Sequence, residues 1–107
     1  MMQEYLRALI SAPTEEEAKL LLKTLLNERL IAGGLITKGL SHYWWKGKIN
    51  EKQYYNLSSF TIKENKETII QIVERLSKDE TPIISFFRID YASDKTLNWI
   101  KQSMNHS

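Results

Sequence analysis

Two tryptophans stand side by side in His42-Tyr43-Trp44-Trp45-Lys46-Gly47-Lys48, and this stretch restricts the fold of the chain more than any other. Tyr43, the two indoles and the preceding Leu40-Ser41 favour an extended backbone. Lys46-Gly47 is a short polar break where glycine can take positive φ, so a tight hairpin turn is expected. Adjacent side chains on a strand point to opposite faces. One indole can therefore face the helices of its own domain, while the other needs cover from elsewhere.

The flanking sequence supplies the rest of a small sandwich. Tyr5 to Ser11 alternates as a strand, with Leu6, Ala8 and Ile10 on one face and Tyr5, Arg7 and Leu9 on the other. Ala12-Pro13 ends it. Thr14 precedes Glu17 at capping-box spacing, and Glu15 and Glu16 suit the first turn of a helix. Ala18, Leu21, Leu22, Leu25 and Leu26 continue one helical face, and Gly33 or Gly34 is the expected stop. Leu35–Trp45 and Lys48 to about Ile62 read as long strands joined at Lys46-Gly47. The second alternates poorly around Tyr54-Tyr55-Asn56 and has room for a bulge. A second helix is expected over Asn65–Lys78, with Ile69, Ile72, Val73 and Leu76 on one face. Thr81-Pro82 breaks it and Ile83–Ile89 forms a fourth strand. Ser93 or Asp94 caps a last helix carrying Leu97, Ile100 and Met104, with Trp99 close by.

At 107 residues the chain is expected to form one domain, 1–107, burying roughly two thirds of its unfolded surface. Fifteen basic and 13 acidic residues leave a formal charge of +2, which gives no electrostatic footprint for nucleic acid or an anionic membrane. There is no cysteine, hence no disulfide or thiolate metal site. Met1-Met2-Gln3-Glu4-Tyr5 lacks the pattern of a secretory leader, and no apolar run approaches the roughly 20 residues that span a bilayer. A cytoplasmic protein without nucleic-acid or membrane partners is the expectation.

The order β-α-β-β-α-β plus a short helix is the α+β ferredoxin-like sandwich, two helices on one face of a four-stranded antiparallel sheet. Two features call for an oligomer. The fourth strand is apolar on both faces, Ile83, Phe87 and Ile89 against Ile84 and Phe86, yet helices cover one face. Strands of about 12 residues reach roughly 40 Å, whereas a first helix of about 17 residues spans only about 25 Å. A ribbon projecting beyond its core is marginal alone.

On these residues the chain resembles the divalent-cation tolerance (CutA) family. The matching features are the strand ending before Ala12-Pro13, the acidic helix start, Glu28-Arg29-Leu30-Ile31-Ala32 and the aromatic run Tyr43-Trp44-Trp45-Lys46-Gly47-Lys48. Thr81-Pro82 and Leu97-Asn98-Trp99-Ile100 match as well, so the resemblance spans about residues 5 to 103. It implies a homotrimer of ferredoxin-like protomers, distantly related to the PII signalling fold and linked to copper and divalent-cation tolerance. By that resemblance Tyr43, Trp44, Trp45 and Lys48 belong to the trimer interface. Lys63 would meet a ligand or carboxylate in a cleft between subunits, beside its plainer reading as a surface lysine. The sequence departs from the family where about Gly33 replaces a usual cysteine, where Ile10-Ser11-Ala12-Pro13 lacks a thiol, and where a His-Pro-Tyr before Thr81-Pro82 is missing. No cofactor is expected, and any divalent cation such as copper, allowed by the resemblance alone, should bind weakly.

Little else carries chemistry. His42 and His106 are far apart and lack a second ligand at metal spacing, so solvated roles are expected. Gly33-Gly34 follows a helix instead of opening one, which suits a C-cap better than a phosphate loop. Glu15, Glu16 and Glu17 read as a solvated first turn. Ser11, Ser58 and Ser59 have no base beside them in any nucleophile motif. The leading expectation is a non-enzymatic homotrimer acting in cation tolerance or as a small regulatory scaffold. The alternative is a single-stranded RNA-binding module of the same strand order, with Tyr5, Tyr54, Tyr55 and Phe60 on an open sheet face.

Overall fold

The computed structural model describes residues 3–104. Strand β1 (Tyr5–Ala12) buries Leu6, Ala8, Ile10 and Ala12, as its alternation dictates. Helix α1 (Glu15–Asn27) begins where the capping spacing put it, with Thr14 Oγ1 accepting from Glu17 N at 3.1 Å. Strands β2 (Gly33–Trp45) and β3 (Lys48–Ile62) make the central hairpin. A 3-10 turn (Lys63–Asn65), α2 (Lys66–Leu76), β4 (Ile84–Arg88) and α3 (Asp94–Met104) complete the order. The strands pair antiparallel as β2-β3-β1-β4, the ferredoxin-like arrangement. Ile10 and Leu57 of the sheet pack with Leu21 and Leu25 of α1 and Ile69 and Val73 of α2 in one core.

Several boundaries differ from the sequence reading. Helix α1 stops at Asn27, well before the glycines. Arg29 takes φ 59, its N–H bonds Leu26 O, and Leu30 N bonds Leu25 O. This pair of bonds closes the helix as a glycine C-cap does, here with an arginine in the left-handed position. Gly33 and Gly34 open β2 instead, where they leave space. A Cβ on Gly34 would stand 2.6 Å from Leu22 Cδ1, and one on Gly33 would stand 3.0 Å from the Trp99 ring. The room for a bulge around Tyr54-Tyr55-Asn56 is not used, since β2 and β3 pair residue for residue from Gly33↔Phe60 to Trp45↔Lys48. Helix α2 is shorter at both ends than expected. Ile83 and Ile89 lie outside β4, and Ile83 N bonds the Ser11 hydroxyl instead of a strand carbonyl.

The hairpin outruns the rest of the molecule. Among the described residues β1 pairs with Tyr55–Ile62 of β3, which leaves Lys48–Tyr54 with β2 on one side and no strand on the other. Helix α1, with 13 residues, covers about 20 Å, less than half the reach of the 15-residue β3. The resulting extents are 45 × 26 × 22 Å, and the radius of gyration of 14.6 Å exceeds the roughly 13 Å of a rounded chain this long. At the tip, Lys46 (φ 51) and Gly47 (φ 79) are both left-handed, as a two-residue turn between twisted strands requires.

The pairing confirms that Trp44 and Trp45 lie on opposite faces, but it corrects where they go. Neither is packed on the chain's own helices: Trp44 is 72% exposed and Trp45 36%. The helices end before the tip, so among the described residues the indole expected to be covered internally has no helix above it. Helix α3 lies against the other sheet face instead. Its Trp99 meets Phe60 edge-on at 5.8 Å between centroids, and Phe60 alternates with the buried Leu57, Ser59 and Thr61.

Candidate functional site

A groove of about 640 Å³ opens between the hairpin and the α2–β4 connection. Tyr43, Trp44, Trp45, Lys52 and Tyr54 line it from the hairpin, Ser11 from the end of β1, and Lys78, Asp79, Glu80, Thr81 and Ile83 from the connection. Tyr43, Trp45, Lys52 and Tyr54 share a strand face because the register pairs Tyr43 with Asn50 and Gly39 with Tyr54. The Tyr43 and Tyr54 rings meet edge-on at 5.9 Å, and Lys52 Nζ lies 5.5 Å from the centre of the Tyr54 ring. Tyr54 Oη donates to Asp79 Oδ2 at 2.9 Å, tying the hairpin to the connection. Partial burial, then the bond to Asp79, raises the phenol above its ordinary range, so it stays a protonated donor.

The connection is held from beneath by Glu17. This residue was expected to be solvated with its neighbours, but it is buried, and its carboxylate accepts from Ser77 Oγ at 3.1 Å and Lys78 N at 2.9 Å. Ser77 Oγ accepts from Asp79 N in turn, and Asp79 Oδ1 accepts from Thr81 N. Glu17 thus fixes the turn that presents Asp79 to Tyr54. Glu15 and Glu16 remain exposed, and Glu15 pairs with Lys19 at 2.8 Å. That hydrogen bond holds the Glu15 carboxyl below its usual range. Glu15, Lys19, Ile36, Lys38 and Tyr55 line a smaller cleft of about 270 Å³ on the helix side.

The structure brings together Tyr43, Trp44, Trp45 and Lys48 at the hairpin tip. Lys63 lies at the opposite end of β3, roughly 45 Å away along the strand. There its Nζ stands 3.4 Å from Glu4 Oε2. Within one chain the five residues therefore form two groups. Asp79, and the anchoring role of Glu17, escaped sequence reasoning. Both act through contacts across more than twenty residues, and no local pattern signals them.

His42 does have a carboxylate partner, contrary to the sequence reading. The hairpin register sets it opposite Glu51, with Nε2 2.6 Å from Oε2. His106 lies outside the described residues. Among the described residues no group of three or more His, Cys, Asp or Glu side chains is placed to hold a metal ion. One imidazole and one exposed carboxylate do not fit the four-ligand set of a structural zinc site.

A ferredoxin-like sandwich whose central hairpin projects beyond its helices, with tryptophans at the tip, is the class of protein defined by this geometry. A family model described as CutA1 divalent ion tolerance protein matches residues 6–103. The divalent-cation tolerance protein CutA of Pyrococcus horikoshii is 31% identical over 88 residues, covering 82% of this chain and 86% of the relative. The CutA protein of Thermotoga maritima is 29% identical over 92 residues, covering 86% and 91%. The solved structure of the periplasmic divalent cation tolerance protein CutA from Archaeoglobus fulgidus has a TM-score of 0.88 at 28% identity, covering 97% of this chain and all of that one. The chain belongs to the CutA1 divalent ion tolerance family.

The RNA-binding alternative gains no support. Trp99 packs on Phe60, Tyr54 is engaged by Tyr43 and Asp79, and Tyr55 turns to the helix face beside Ile36 and α1. The aromatic platform that base stacking requires is therefore not assembled. No helix among the described residues is long and apolar enough to cross a membrane.

Proposed function

We propose that the chain acts as a non-enzymatic homotrimer in divalent-cation tolerance, copper included, without a resident cofactor. The observation that carries this reading is the hairpin. Leu40 and Ile49 are each 64% exposed beside Trp44, on a ribbon with free backbone edges. Such surface is covered when neighbouring copies pair edge to edge and close a ring. Membership of the CutA1 family supports both the tolerance role and three as the number of copies. In the ring, Tyr43, Trp44, Trp45 and Lys48 form the interface. Lys63 reaches a cleft between subunits, and a divalent cation binds weakly. The cytosol is the proposed compartment; since the Archaeoglobus fulgidus relative is described as periplasmic, cell fractionation checks it directly.

The functional test is growth under copper challenge in a host lacking its own family member. Expression of this chain is expected to restore growth, and Trp44→Ala is expected to restore less. A chain that assembles in the host yet leaves copper sensitivity unchanged contradicts the tolerance role.

A further inference from the structure

His42 and Glu51 face each other across the hairpin on the strand face that carries Leu40, Trp44 and Ile49. Their side chains are 57% and 61% exposed, so in the separate chain water screens the pair and it adds little to stability. Beyond this apolar collar, the titratable groups on the same face are Lys38 and Tyr55, followed by Glu15 and Lys19 where α1 meets the hairpin. Among the described residues no helix packs over the pair. An ion pair thus sits amid apolar surface on the ribbon that assembly has to cover.

We infer that covering this face makes assembly pH-dependent, with a proton taken up at His42 in each protomer. The inference rests on the trimer proposed above and concerns its regulation. Removing water from Glu51 beside a neutral imidazole leaves one uncompensated carboxylate, which is costly in a desolvated interface. With His42 protonated, the same two atoms form a charge-assisted hydrogen bond of zero net charge. Histidine is the side chain that ordinarily changes charge between pH 5 and 8. The assembled state favours the protonated form, so association is strongest at the acidic end of that range and weakens as pH rises through it.

The experiment is guanidinium-induced dissociation of the assembly, followed by light scattering at pH 6, 7 and 8, for the parent, His42→Gln and Glu51→Gln. The parent is expected to associate severalfold more strongly per protomer at pH 6 than at pH 8. His42→Gln keeps a neutral donor to Glu51 but does not titrate, so its association should be flat across the range. Glu51→Gln makes a protonated imidazole the uncompensated ion, so its dependence should reverse. A parent trimer equally stable at all three pH values, or a His42→Gln variant that keeps the parent's dependence, overturns the coupling while leaving the trimer intact. A parent that is monomeric at every pH overturns the trimer and the coupling together.

Discussion

A chain carrying Trp44→Ala is expected to fold as the parent does and to assemble at least about a thousandfold more weakly. The separation of the two effects follows from exposure. With Trp44 72% exposed in the single chain, truncation removes little buried contact from the fold. In the proposed ring the same indole is covered, and full burial of a large apolar side chain contributes roughly 1.5–3 kcal/mol. Each substitution occurs three times, so the ring loses roughly 5–9 kcal/mol, where about 1.4 kcal/mol is a factor of ten. Denaturant unfolding of the dilute chain and sedimentation at rising concentration separate the two quantities. An unfolding midpoint that drops sharply while the assembly persists contradicts this placement of Trp44.

Glu17→Ala should act in the opposite way, on the single chain first. The buried carboxylate holds Ser77 Oγ and Lys78 N, and Ser77 Oγ in turn accepts from Asp79 N. Hydrogen bonds to a charged group are worth about 1.5–3 kcal/mol, and the donors left behind lose their acceptor in a half-buried turn. A loss of about 2–3 kcal/mol in denaturant unfolding is expected. Release of the turn also frees Asp79, so Tyr54 loses its acceptor and its absorbance should titrate at lower pH than in the parent. The sign follows from the cause, since the bond to Asp79 is one of the contributions that raise the phenol. Stability within about 0.5 kcal/mol of the parent would show that Glu17 is not the anchor.

What the sequence made legible was local. Alternation in Tyr5–Ser11, the Thr14 cap with its Glu17 spacing, and the Lys46-Gly47 turn each depend on neighbours within one strand or one helical turn. All three stand in the structure. The order of elements follows from them, and with it the ferredoxin-like sheet. The end of α1 was misread because glycine is the usual left-handed residue, whereas the helix closes through Arg29. The face of Tyr55 was misread because the run Tyr54-Tyr55-Asn56 carries no clean alternation. Only pairing with β1 and β2 settles that Tyr54 meets Asp79 while Tyr55 lines the helix-side cleft. The pairs that shape the site, Glu17 with Lys78, Tyr54 with Asp79 and His42 with Glu51, are tertiary. They exist because a sheet register and a loop path bring distant residues within hydrogen-bond distance.

In the proposed ring the exposed hairpin is the assembly element. Multi-angle light scattering on the purified chain at micromolar concentration and neutral pH reads this from the mass of the species in solution. A single species with three times the mass of one chain is expected, with a shift toward smaller species for Trp44→Ala under the same conditions. A monodisperse monomer for the parent chain, with Trp44 and Ile49 left in water, contradicts it.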